Sequence, residues 1–205
     1  MPYSAQHKLN TRNRIVTAAR KHFNRDGFEA VSIEAIMREA GLTHGGFYKH
    51  FARKEELYAE AVLEFICKTQ PDRWQKKHVD PKVRGPELAR MILDAYLSDD
   101  HLRDRDASCP MIALPSDVQR GNRAVKAAFR EVLEMMAGAF AGNLADDGRS
   151  VRERSLAMVA MAVGGMVLAR SVDDRALGRE IRQAARAEAY RSSGWELDPP
   201  AVAAE

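Results

Sequence analysis

The chain has 205 residues, 45% of them apolar and 30% charged, with two cysteines and a formal net charge of +3. That length and balance suit one or two compact domains with a sizeable core and exclude a chain that is disordered throughout. Two cysteines, Cys67 and Cys109, are too few for a disulfide framework or a four-ligand zinc site, and the opening MPYSAQHKLNTRNR has no signal-like apolar core. The longest apolar run, Leu156 to Ala169, is shorter than the roughly 20 residues a spanning helix needs, so a cytoplasmic protein with no membrane partner is expected.

Helical periodicity runs through nearly the whole chain without sustained alternation, which predicts an all-α fold of about nine helices. The first starts near Leu9 or Thr11, places Ile15, Val16, Ala19 and Phe23 on one face, and stops at Gly27. Ser32 caps a second helix with the apolar stripe Ile33, Ile36, Met37 and Ala40, ended by Gly41. Thr43 caps a short third helix, about His44 to His50. A fourth opens at Lys54 or Glu55, carries Leu57, Ala61 and Phe65, and runs to Gln70. From Pro71 to Pro86 the chain reads as a linker. A helix is expected from Glu87 to Leu97, then a charged break from Ser98 to Ser108 whose Asp99, Asp100, Asp104 and Asp106 read as a solvated loop. A short Pro-initiated helix from Pro110 to Leu114 follows. Three long helices complete the pattern, at about 122–144, 150–172 and 174–191, before a tail at 192–205.

Charge is unevenly divided. Residues 1–54 hold ten Lys/Arg against four Asp/Glu, and residues 55–205 hold 22 against 25. A basic head on a slightly acidic body suits a polyanion partner. Within that head, two helices joined by Ala40-Gly41-Leu42-Thr43 form a helix-turn-helix, whose second helix can enter a major groove. Gly41 supplies a positive φ, Leu42 buries between the helices, and Thr43 offers its hydroxyl to a phosphate. Gly45 and Gly46 keep the front of the helix slim. Phe47 and Phe51 face inward, which leaves Tyr48, Lys49 and His50 outside and Lys54 available to a phosphate. Each residue also has a plainer role as poor helix start, half-core or solvated charge; the ordered set is what carries information. His44 and His50 lie on different faces and make no zinc pair, so neither a metal nor a cofactor is expected.

The ordered motifs are Thr11-Arg12-x-x-Ile15 with Ala18-Ala19 and Phe23 to Gly27, Val31-Ser32-Ile33-x-x-Ile36 to Gly41-Leu42, and Gly46-Phe47-Tyr48-Lys49-His50-Phe51 with Lys54-Glu55-x-Leu57. Together they resemble the TetR family of bacterial transcriptional regulators, ungapped over roughly residues 10–63. The resemblance implies a DNA-binding domain over residues 8–54, with its recognition helix at about 44–50, and a helical ligand-binding and dimerisation domain over 55–191. It implies a homodimeric repressor that binds a near-palindromic operator in double-stranded DNA. A small-molecule inducer would release it by shifting the fourth helix and separating the two heads. Carried across by position, Ser32, Thr43, Tyr48, His50 and Lys54 would touch phosphate, and His44, Gly45 and Lys49 would read base edges. The glycine pair stands where some members have bulkier side chains, so specificity would lean on Lys49, His44, main-chain approach and DNA shape. Lys8, Arg12 and Arg14 are candidates for further phosphate or minor-groove contacts.

In the body, the segment from Leu156 to Ala169 is apolar all round, which implies burial on every side. A monomer can bury it as a central helix; a dimer can bury one side against a partner, helped by Ala157, Ala160, Gly164, Gly165 and Ala169. The resemblance implies a dimer through helices 150–172 and 174–191. Seven of the nine methionines lie between residues 91 and 166. They are either core filler or, with neighbouring aromatics, the lining of a ligand pocket. The candidate lining is Met91, Tyr96, Met111, Phe129, Leu133, Met136, Phe140 and Met161. Cys109, just before Pro110 at a helix start, is either a packed thiol or a redox or electrophile sensor. Cys67 reads as packing. With no metalloprotease, nucleophile-elbow or phosphate-loop motif, an enzyme is not expected. The rival readings are an enzyme or an interaction module housed in the helical body.

Overall fold

Glycine and capping residues set the joints of the chain, as the computed structural model, which describes residues 5–67, 79–80 and 82–195, makes plain. The helices are α1 (Ala5–Ala30), α2 (Ile33–Glu39), the 3-10 helix α3 (His44–Lys49), α4 (Lys54–Cys67), α5 (Pro86–Tyr96) and α6 (Asp99–Arg103). They continue with α7 (Pro110–Ala113), α8 (Pro115–Arg120), α9 (Arg123–Ala141), α10 (Val151–Ser171) and α11 (Arg175–Ser193). Gly27, at φ 77°, kinks α1 where its end was expected. Ser32 caps α2 by accepting from the N–H of Ala35, and Asp174 caps α11 by accepting from Ala176 and Leu177. Most of the expected linker, Gln70, and the tail beyond Trp195 lie outside the described residues.

Among the described residues the eleven helices include two beyond the expected pattern, α6 and α8. α6 forms inside the charged run because Ser98 Oγ accepts from the His101 N–H at 3.2 Å and Asp99 and Asp100 complement its first turn. Nor is that run a solvated loop. Asp99 accepts from Arg182, Asp106 from Arg25, and Asp104 from the Ala107 N–H at 2.9 Å.

The chain packs into two compact units. The first holds α1–α4, α7, α8 and α9 as far as Met135. Its core follows from the stripes on α1 and α2: Ile15, Ala19, Phe23, Ile36, Met37, Phe47, Phe51, Leu57 and Tyr58 are buried together. Each such large side chain contributes roughly 1.5–3 kcal/mol by leaving water. Polar clamps fasten the end of α1 to the later part of this unit. The Asn24 amide donates to the carbonyls of Asp106 and Ser108, both at 3.1 Å, and the Phe28 N–H donates to Asp117 at 2.8 Å.

The second unit holds α5, most of α6, the end of α9, α10 and α11. α10 and α11 approach closely because glycine lies at both contact points. A Cβ at Gly165 would come within 2.9 Å of Ala185 Cβ, and one at Gly178 within 3.3 Å of the Ala169 carbonyl. α11 is tied to α5 through Tyr190, whose hydroxyl donates to Asp94 at 2.6 Å and accepts from Arg90 at 3.0 Å. Arg182 donates to the Leu97 carbonyl at 2.7 Å. The segment from Leu156 to Ala169 is not buried on every side: Met158, Val159, Ala162, Gly165 and Met166 are covered, whereas Ala157 and Ala160 are exposed and Leu168 is 57% exposed. By length and composition, α10 as a whole is long and apolar enough to cross a membrane, although its longest uninterrupted apolar run is not. A soluble core helix passes the same test, and α10 is covered by α11 on one face.

Candidate nucleic-acid interface

The reading surface is built on the turn between α2 and α3. Gly41 adopts φ 67°, and the Leu42 N–H returns to the Met37 carbonyl at 2.8 Å. Even a methyl at position 41 would come within 3.0 Å of Arg14, whose guanidinium caps α2 by donating to the Ala40 carbonyl at 2.5 Å. Ser32 uses its hydroxyl oxygen as the α2 cap, and its O–H stays on an exposed residue. Thr43 is exposed, and its side chain makes no capping bond, so the hydroxyl is open to a ligand.

α3 winds as a 3-10 helix, starting with the Gly46 N–H on the Thr43 carbonyl at 3.0 Å. Successive glycines suit this tighter winding, in which side chains three apart eclipse. Phe47 is fully buried and stacks on Phe51, with ring centroids 5.6 Å apart. On the opposite side His44, Gly45, Tyr48 and Lys49 are exposed, Tyr48 by 61%. The His44 and Tyr48 rings meet edge to face at 6.1 Å. A Cβ at Gly45 would meet nothing within 4 Å, so that residue is open backbone.

Four basic groups sit differently from their sequence expectation. His50 is half-buried, with Nδ1 buried and unpartnered. Burial, and then the charges of Lys8, Arg12 and Lys49, push its pKa down, so the ring is neutral at neutral pH. Lys54 is turned inward. Its ammonium donates to the Phe28 carbonyl and lies 4.3 Å from the centre of the Phe28 ring, and burial lowers its pKa. Arg12 is engaged by Glu56, Glu60 and the His50 carbonyl, and Arg14 by the Ala40 carbonyl. Lys8 is exposed. Between it and α3 lies a cleft of about 600 Å³ lined by Lys8, Arg14, Thr43, Lys49 and the two histidines His7 and His50, among others, with no carboxylate among the described residues of the lining. Such a surface attracts polyanions.

Residues 15–61 match the family described as bacterial regulatory proteins, tetR family. Over 54 residues the chain is 39% identical to the HTH-type transcriptional regulator UidR of Escherichia coli K12, a stretch that covers 26% of this chain and 28% of UidR. This head is similar to the heads of the TetR family. The similarity of fold extends well beyond the TetR head. A TetR-family transcriptional regulator from Cytophaga hutchinsonii superimposes with a TM-score of 0.71 over 97% of this chain and 100% of its own, at 16% identity. One from Agrobacterium tumefaciens gives 0.68 over 88% and 98%, also at 16% identity. The all-α expectation therefore holds as a TetR fold.

Away from the TetR head, the expected pocket residues divide between the two units. Met111, Phe129 and Leu133 lie in the first; Met91, Tyr96, Met136, Phe140 and Met161 lie in the second. Tyr96, Met111, Met136 and Phe140 are buried, and the other four are partly exposed. Cys109 stands at the N-cap of α7 with no solvent exposure. No group of three His, Cys, Asp or Glu among the described residues is placed to hold a metal ion.

Proposed function

We propose that the chain is a cytoplasmic DNA-binding transcriptional regulator: a homodimeric repressor that reads a near-palindromic operator and is released by a small apolar ligand. The observation that carries this reading is the basic cleft beside the exposed face of α3, lined by Lys8, Arg14 and Lys49. Phosphates positioned over that cleft would meet Lys8 and the Thr43 hydroxyl, others would meet the exposed Ser32 and Tyr48, and the slim backbone at Gly45 would let α3 sit deep in the major groove. Lys49, exposed on the same face, would donate to guanine O6 and N7. His44 adds a second edge contact, and His50 approaches as a neutral donor. Lys54 serves the interface indirectly, by holding the end of α1.

A dimer is supported by the uncovered side of α10 and by Leu177 of α11, which is 43% exposed. A second copy seated there would bury both and present two reading helices to half-sites about 34–36 Å apart. Within the second unit the buried Tyr96, Met136 and Phe140 supply adaptable apolar surface for an inducer, which needs only a differential affinity for the released state. A preference of about 100-fold supplies roughly 2.7 kcal/mol of coupling.

Selection of bound sequences from a random duplex library, repeated across salt concentrations, tests the proposal. A near-palindromic consensus with steep salt dependence is the expected result. Lys49→Ala should then weaken binding to that consensus by about 1–3 kcal/mol more than binding to random duplex. No enrichment by the wild-type protein overturns the reading. Gly45→Ala separates function from folding. The added methyl meets empty space, so thermal stability should hold or rise by about 0.5–1 kcal/mol. Affinity for the consensus, measured by fluorescence anisotropy, should fall about tenfold, a loss of roughly 1.4 kcal/mol.

A further inference from the structure

We infer that Arg12 is the positioning residue of the reading helix: it fixes the angle of α3 against α1 and α4 and makes no contact with DNA, an inference that rests on the DNA-reading role proposed for α3. Its side chain, 28% exposed, reaches across the head. Nε donates to Glu60 at 3.1 Å, Nη2 donates to Glu60 and to Glu56 at 3.3 Å, and Nη1 donates to the His50 carbonyl. The guanidinium plane also lies 3.9 Å from the centre of the Phe51 ring. Four of the five N–H bonds that an arginine offers are thus directed at protein groups, and both faces of the task are covered: two carboxylates on α4 and the end of α3.

The His50 carbonyl is the C-cap of α3. Helix-end carbonyls lack an intrahelical donor, and a cation there complements the negative end of the peptide dipoles. α3 has six residues and 3-10 winding, too short to hold a direction by its own hydrogen bonds. Phe47, the one buried side chain of α3, fixes its depth but lets it swing about that point. Arg12 supplies the second point of attachment. A planar fork that binds a carboxylate and a carbonyl at once allows little swing, which a lysine cannot reproduce.

The alternative, that Arg12 binds a phosphate, predicts the opposite sign for one substitution. If Arg12 were a phosphate ligand held back by Glu60, then Glu60→Gln would free it, and binding to every duplex would tighten. If Arg12 positions α3, Glu60→Gln loosens the attachment, and discrimination falls. The readout is the ratio of affinities for the duplex enriched by the wild-type protein and for the unselected library pool, since a change in net charge affects both alike. Arg12→Lys and Arg12→Met are each expected to lower this ratio about tenfold, the effect of losing one charge-assisted bond. Glu60→Gln is expected to lower it by a smaller factor. The slope of log affinity against log salt should stay at the wild-type value for Arg12→Met, and amide hydrogen exchange at residues 47–51 should accelerate in all three variants. A salt slope reduced by about one with the ratio unchanged, or an unchanged ratio in Glu60→Gln with both duplexes bound more tightly, overturns the inference. If Arg12→Met does not fold, Arg12→Lys and Glu60→Gln decide by the same measurements. If the wild-type protein enriches no duplex, it is the DNA-reading role that fails. Exchange at residues 47–51 in Arg12→Lys then still decides whether Arg12 holds α3, with unchanged exchange counting against it.

Discussion

Phe47→Ala is expected to destabilise the full chain by about 3–5 kcal/mol, whereas Tyr48→Ala next to it should change stability by no more than about 0.5 kcal/mol. The contrast follows from burial. Phe47 is fully enclosed, stacked on Phe51 and edge-on to Tyr48 at 5.2 Å, while Tyr48 is 61% exposed. Removing the Phe47 ring leaves a cavity that α3 cannot close, because its front carries glycines and no other side chain of α3 is buried. With a domain stability of about 5–15 kcal/mol, such a loss leaves the head marginal. Urea unfolding followed by circular dichroism should show a lowered midpoint for Phe47→Ala and an unchanged one for Tyr48→Ala. Binding should separate them the other way at a temperature where both are folded. Tyr48→Ala should lose affinity for consensus and random duplex alike, since its hydroxyl is assigned to phosphate, and Tyr48→Phe should reproduce most of that loss. A stable Phe47→Ala variant would mean that α3 is held chiefly from its end.

What could be read from the sequence was local, and what escaped was the identity of partners across helices. The caps at Ser32 and Gly41, the inward pair Phe47 and Phe51, and the long amphipathic helices all announce themselves within a turn or two, through periodicity and capping chemistry. α6 and α8, with five and six residues, are too short to show a period, and helices of that length exist only through tertiary support. The basic residues of the head were harder still. Arg12, Arg14 and Lys54 look like phosphate ligands because charge near a helix-turn-helix suggests it. Their actual partners stand 26 to 48 positions away in the sequence. The recurrence of Glu56, Glu60 and Glu64 at intervals of four was a signal that one face of α4 meets cations, but no local rule says which. α10 stayed open between two readings for a related reason. An all-round apolar composition does not distinguish a helix enclosed by its own chain from one with a side left uncovered, and the exposed Leu168 decides it only in three dimensions.

Glu64→Ala should be as damaging as Phe47→Ala, through charge rather than volume. Glu64 is 5% exposed and accepts from Arg20 Nε at 3.1 Å and from the Thr17 hydroxyl. The Arg20 side chain is itself only 11% exposed, and its Nη1 is buried without a hydrogen-bond partner. Removing the carboxylate therefore strands a desolvated guanidinium, which costs about 3–5 kcal/mol. Arg20→Ala strands the carboxylate and should cost a comparable amount. Glu56→Ala, at a carboxylate 44% exposed, should cost less than about 1 kcal/mol. The double replacement Arg20→Met with Glu64→Leu should recover most of the loss, since no buried charge is then left unpaired and only the Thr17 hydroxyl, on a partly exposed residue, loses its partner. Chemical unfolding of the wild-type protein, Arg20→Met, Glu64→Leu and the double variant, treated as a double-mutant cycle, checks this; additivity of the two single losses would refute the pairing. The pair also bears on how the proposed inducer would act. Glu56, Glu60 and Glu64 bolt α4 to Arg12, Thr17 and Arg20 along α1, so a displacement of α4 must carry α1, and with it α3, as one body. In the double variant α1 and α4 stay packed but lose the innermost bolt. An inducer found by screening should therefore release that variant from DNA less completely than it releases the wild-type protein.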